Sequence, residues 1–166
     1  MKVGVQKGLF YYKYRVFIQE FLNDLGAEVI LSQDTNKRIL DLGIKYCVDD
    51  ACVPIKIFTG HVESIKEECD LIVIPRIMSI RDKEFICPKF CGLPEIISNS
   101  LTGLPQITSM PLYINNKTKL FYWCKNLGKM IGAKNKEIKI AFHKAMKRQI
   151  AFTCGYNDKA NTREHY

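Results

Sequence analysis

Short apolar runs alternate with amphipathic helical stretches through the first two thirds of the chain, and this alternation restricts the fold more than any other feature. Residues 3–5 (Val-Gly-Val) read as a first strand. Tyr14, Phe17, Ile18, Phe21, Leu22 and Leu25 then recur at the three-and-four spacing of one helix face. Gly26 falls where a helix end favours a left-handed residue, and residues 27–31 follow as a second strand. Thr35 is placed to cap the next helix, with Ile39, Leu40, Gly43, Ile44 and Cys47 along its apolar side. Asp50 is placed to cap another, which buries Ile57, Phe58, His61, Val62 and Ile65. Residues 71–74 (Leu-Ile-Val-Ile) are apolar throughout, as a strand covered on both faces should be, and Pro75-Arg76 ends the run.

Later signals are weaker. Residues 84–86 suggest a short extended piece, 94–98 a short helix and 106–108 a fourth strand. Residues 120–131 and 137–152 read as helices, the second with Ile138, Phe142, Ala145, Met146 and Phe152 on its apolar side. Strands separated by helices require crossovers, and crossovers give parallel pairing. The expected fold is α/β: a mainly parallel four-stranded sheet with helices on both faces, Rossmann-like, and a helical C-terminal region. The expected organisation is a single α/β domain over 1–154 and a polar tail over 155–166.

Ligands of such sheets gather beyond the carboxyl ends of the strands, so cysteines near those ends draw interest. The chain has seven, an odd number, which excludes a complete intramolecular disulfide framework. There is no secretory h-region and no run of membrane-spanning length. The expected compartment is therefore the reducing cytoplasm, where clustered thiols read as metal-binding or catalytic.

Four of the cysteines form two clusters, Cys47-x4-Cys52 and Cys87-x3-Cys91, each followed by proline or preceding one closely. With Asp50 as cap, Cys52 lies in a first helical turn, at the positive end of the helix dipole, a setting suited to a thiolate ligand. Cys87 precedes Pro88, which forces its backbone out of helix and presents its side chain from a loop. Cys52 and Cys87 are the leading metal-ligand candidates, with Cys91 and Cys47 behind them. The competing role for any of these thiols is apolar packing, since free cysteine is among the most buried residue types. Packing is the expected role for Cys47 on its helix face and for Cys69 and Cys124. Neither spacing matches common zinc ribbons or ferredoxin runs, so iron–sulfur and zinc both stay open on spacing.

Two further residues stand near the presumed edge. Arg76 ends a buried strand and is placed to hold a phosphate or carboxylate, or to cap a loop. His61 shares a helix side with Phe58 and Ile65, which favours a core histidine over a proton donor or ligand. No GxGxxG or Walker lysine motif is present.

Charge is segregated. Residues 1–115 carry 13 basic and 14 acidic side chains, whereas residues 116–150 carry ten basic ones and Glu137 alone, net +9. Nucleic acid, an acidic protein or a phosphorylated ligand such as coenzyme A would suit that segment, as would a merely solvated helix surface. Phe121, Tyr122 and Trp123 are adjacent and face different sides of one helix, which argues against a stacking platform for nucleic acid.

The ordered motifs of residues 3–12, 26–30, 35–43, 50–56, Gly60-His61, Pro75-Arg76 and Ile86-Cys-Pro-Lys-Phe-Cys-Gly-Leu-Pro94 carry a resemblance. Together they resemble the acyl-CoA dehydratase activase-related proteins, similar to components of 2-hydroxyacyl-CoA dehydratases and benzoyl-CoA reductases. The resemblance spans roughly residues 2–110. It implies an α/β subdomain that contributes cysteine ligands, here Cys52 and Cys87, to a cubane-type iron–sulfur cluster of 4Fe-4S type, acting on CoA thioesters with electrons from an ATP-dependent activator. A cluster needs more thiolates than two, so Cys91, Cys47, a second copy of the chain or a separate subunit must supply the rest. The ATPase half of an activator has no motif here. Three readings follow: an iron–sulfur redox domain working with other subunits, a noncatalytic ligand-binding or assembly module, and, third, a basic nucleic-acid-binding protein.

Overall fold

The computed structural model describes residues 1–80 and 86–161, with side chains described through residue 154. Four parallel strands form the main sheet in the order β2-β1-β3-β5: β1 (Lys2–Val5), β2 (Glu28–Leu31), β3 (Leu71–Ile72) and β5 (Gln106–Ile107). The α/β architecture expected from the alternation is the one observed. Helix α1 (Tyr11–Asp24) connects β1 to β2, and α2 (Lys37–Tyr46) and α3 (Val53–Ile65) connect β2 back across β1 to β3. Between β3 and β5 lie β4 (Arg76–Ser79), α4 (Pro88–Cys91) and α5 (Leu93–Ser100). After β5 come β6 (Pro111–Tyr113), α6 (Lys117–Ile131) and α7 (Asn135–Asn161).

Side chains along β3 alternate between two cores, as pleated strands require. Leu71 and Val73 join Val3, Phe17, Phe21 and Phe142 on the face covered by α1, α6 and α7. Ile72 and Ile74 join Ile55, Phe58, Val62 and Ile97 on the face covered by α3 and α5. This division puts helices on both faces of the sheet.

Local signals act as their chemistry predicts at several places. Gly26 has φ 73° and ends α1 with the paired bonds of a Schellman turn, Gly26 N to Asn23 O at 2.9 Å and Ala27 N to Leu22 O at 3.1 Å. At the start of α7, the Glu137 carboxylate accepts from the Lys134 amide at 2.7 Å, half of a capping box. Helices α2 and α3 touch backbone to backbone. A Cβ on Gly43 would overlap the Lys56 carbonyl, and one on Gly60 would overlap the Ile39 carbonyl, both inside the 3.0 Å that real Cβ atoms essentially never cross.

Several boundaries differ from the sequence reading. The third strand is hydrogen-bonded as a strand only at Leu71–Ile72. Val73 donates its amide to the Gly4 carbonyl at 3.0 Å. Both backbone groups of Ile74 pair with the Thr108 hydroxyl, which accepts from the amide at 2.8 Å and donates to the carbonyl at 2.7 Å. Pro75 then turns the chain out of the sheet, and Arg76, expected to end a strand, begins β4. The partner of β4 is β6, a parallel two-stranded ribbon the sequence reading did not contain. Asn36 rather than Thr35 caps α2, accepting from the Ile39 amide at 3.1 Å. Cys52 rather than Asp50 occupies the N-cap of α3. The last helix continues past Phe152 to Asn161, and of the extended piece expected at 84–86, residues 84 and 85 lie outside the described residues.

Candidate functional site

Cys52 and Cys87 occupy equivalent positions on two neighbouring elements. Each is an N-cap residue in extended backbone, at φ −67°, ψ 152° and φ −54°, ψ 129°. Each is followed within two residues by a proline, Pro54 and Pro88, in the first helical turn, where the missing amide costs nothing. Neither thiol makes a capping hydrogen bond, and both are exposed. The two segments meet: Lys89 Nζ reaches the Asp50 carbonyl at 3.5 Å, and Ala51 and Phe90 pack on the same core.

The other two candidate ligands are already engaged. Cys47 closes α2 as its C-cap and donates its thiol to Thr59 Oγ1 at 3.2 Å. Cys91, at the end of α4, donates to the Ile77 carbonyl at 3.2 Å. Burial pushes the Cys69 thiol up to about 11 and raises that of Cys124 further, as for packing residues. Among the described residues, no group of three or more His, Cys, Asp or Glu side chains is arranged to hold a metal ion. Two exposed thiols fit part of a metal site; the described residues do not complete one.

Arg76 is engaged by protein through each of its three nitrogens. Its Nε donates to the Ser109 carbonyl at 2.7 Å, one terminal nitrogen donates to the Cys91 carbonyl at 2.9 Å, and the other pairs with Glu95. The guanidinium thus fastens α4 and α5 to β4, and its hydrogen bond holds the Glu95 carboxyl below its ordinary range. His61 is completely buried on α3, its Nε2 3.0 Å from Thr35 Oγ1, while Nδ1 has no partner among the described residues. Burial lowers its pKa to about 4, so the ring is neutral at physiological pH; Lys7 acts in the same direction. Thr35, expected to cap α2, spends its hydroxyl on this ring instead.

Exposed apolar side chains occur close in sequence to Cys52. Ile44, Val48 and Val53 are all exposed, Val48 to 75%. Ile44, expected on the apolar side of α2, is instead half exposed; Val48 and Val53 give no signal in the sequence because each reads locally as a loop or helix residue. In the basic region, Trp123 is buried while Tyr122 is exposed, so the adjacent aromatics do face different sides. Among the described residues no helix is long and apolar enough to cross a membrane.

No curated protein and no solved structure matches the chain. From residue 2 to residue 164 it does match a family described as the CoA enzyme activase uncharacterised domain, which supports the activase-related family expected from the sequence. With nearly its whole length matched, the chain belongs to the CoA enzyme activase uncharacterised domain family.

Proposed function

We propose that this domain contributes two thiolate ligands, Cys52 and Cys87, to an iron–sulfur cluster shared with another polypeptide of a CoA-enzyme activation system. The observation that carries the reading is the matched pair of exposed N-cap thiols on elements joined through Lys89 and the Asp50 carbonyl. Two thiolates are half of what a cubane cluster takes. The exposed Val48 and Val53, close to Cys52 in the chain, are suited to a partner subunit, or a second copy of the chain, that brings the remainder. When bound, the cluster would supply one-electron chemistry. The chain's own residues hold the two thiols outward on rigid helix starts, and Arg76 keeps the Cys87-bearing α4 fixed to β4.

Anaerobic reconstitution with iron and sulfide tests this. The expected product is brown, with broad visible absorption and with iron retained by an oligomer or by a complex with a co-purified subunit. Cys52→Ala and Cys87→Ala should each abolish iron retention, while Cys124→Ala should not. A colourless, iron-free product would leave the domain a noncatalytic ligand-binding or assembly module, and a colourless product retaining zinc would replace iron with zinc at the same thiols.

A further inference from the structure

A cavity of about 240 Å³ lies at the carboxyl edge of the main sheet. It is bordered by the ends of two adjacent strands, at Val5 for β1 and at Val73 and Pro75 just past β3. The connections leaving these strands run to opposite faces, β1 to α1 and β3 to α5. In an open parallel sheet a crevice opens at that point. Phe17 of α1, Trp123 of α6 and Met146 of α7 also line it.

Among the described residues lining it there is no Lys, Arg, His, Asp or Glu. Most polar side chains on its border are engaged or closed off. Gln149 accepts from the Phe17 amide at 3.0 Å and donates to the Lys13 carbonyl at 2.9 Å. The Tyr11 hydroxyl accepts from Gln19 Nε2 at 3.0 Å. The side-chain nitrogens of Gln6 and Trp123 are themselves buried and present no open surface. What remains is hydrocarbon and aromatic carbon. An apolar cavity of this kind stays dry and takes up apolar molecules. A second observation marks the same place. Leu9 borders the cavity at φ 51°, the one described non-glycine residue in the left-handed region. A leucine held there is strained, and such strain persists where the surrounding fold over-determines it, ligand clamps among the recurrent places.

We infer that this crevice binds an aliphatic hydrocarbon chain, held by apolar contact alone. Size sets its length at roughly ten carbons, since an apolar cavity of about 150 Å³ already holds the six of benzene. Charge is excluded from the buried portion. An ion there would lie without a counterion among the lining side chains, at a far greater cost than any buried dipole. The site is independent of the cysteines, so its test needs no cluster and no second polypeptide, and its failure would leave the thiol reading where it stands.

Trp123 is the chain's single tryptophan and lines the cavity, so its fluorescence reports on occupancy. The probes are uncharged 1-alkanols from hexanol to dodecanol, titrated in reducing buffer and followed by emission and by calorimetry. The expected result is saturable binding of one alkanol per chain, with affinity rising about fourfold per methylene as far as decanol and then levelling, so that dodecanol binds no tighter than decanol. Ile18, half-buried on α1, lines the same cavity. Ile18→Ala removes three carbons from the wall and should lift the ceiling, with dodecanol now at least fourfold tighter than decanol. Should Ile18→Ala fail to fold, Met146→Ala makes the same test from α7. Three results would overturn the inference: no saturable response up to the solubility limit of decanol, a wild-type affinity that keeps rising fourfold per methylene through dodecanol, or a chain-length ceiling that does not move when the wall is cut back.

Discussion

Replacing Gly60 by alanine puts a methyl group against the Ile39 carbonyl, and replacing Gly43 puts one against the Lys56 carbonyl, both inside 3.0 Å. In each case the obstacle is backbone, which cannot rotate away as a side chain end can. The helices must therefore part by on the order of 1 Å, and a gap of that size forfeits a quarter to a half of the dispersion energy of each facing atom pair. Overpacking of this kind costs about 1–3 kcal/mol, and with backbone on both sides the upper end applies. Alanine recovers about 1 kcal/mol of helix propensity over glycine. The net is a loss of about 2 kcal/mol for each variant, or a fall in Tm of roughly 4–8 °C for a chain of this size. The two losses should be subadditive, because helices already parted by one methyl group accommodate the second more easily. Gly92→Ala is the control: its nearest neighbour, the Pro88 carbonyl oxygen, would be 3.9 Å away, and its φ of −92° suits any residue. Thermal and urea unfolding of the four proteins decides the matter. If Gly43→Ala and Gly60→Ala melt within 1 °C of wild type while Gly92→Ala does the same, the close crossing of α2 and α3 is not what holds them together.

Other perturbations have equally definite outcomes. Thr108→Val should cost about 2–4 kcal/mol, because it strips partners from both backbone groups of Ile74; Thr108→Ser, which keeps the hydroxyl, should cost about 1 kcal/mol, and equal losses from the two in urea titrations would contradict the pairing. His61 is a base whose folded pKa, about 4, lies below its unfolded value of about 6.5. Its stabilising contribution is thus complete above pH 6.5 and is lost as pH falls toward 4, by at most about 3 kcal/mol. The difference in unfolding free energy between wild type and His61→Asn, measured from pH 7 to pH 4, should shrink accordingly, and a pH-independent difference would refute the neutral buried ring. Arg76→Met should destabilise by about 1–2 kcal/mol through the lost Cys91 and Ser109 carbonyl partners, with Arg76→Lys restoring less than half; a neutral Arg76→Met in thermal unfolding would show that the network carries no weight.

How much of this was readable in the chain differs by element. The β1–α1–β2 unit was legible because its signals are local: an apolar strand, a helical face from Tyr14 to Leu25, and a glycine placed for φ 73°. The end of the 71–74 run was not, because Ile74 is completed by a hydroxyl 34 positions away, and a side chain standing in for a strand leaves no periodic trace. The β4–β6 ribbon escaped for a related reason: β6 has three residues and begins with proline, below the length at which alternation can be seen. Cys52 and Cys87 stand out in the sequence for their clusters and neighbouring prolines, but their equivalence as N-caps depended on where α3 and α4 begin.

The bond from the Phe17 amide to Gln149 spans 132 residues, and its companion to the Lys13 carbonyl spans 136. During synthesis, then, the docking of α7 against α1 waits until residue 149 has emerged. The nascent sheet must wait with an apolar flank open to the solvent, a contact order that favours slow closure and chaperone capture.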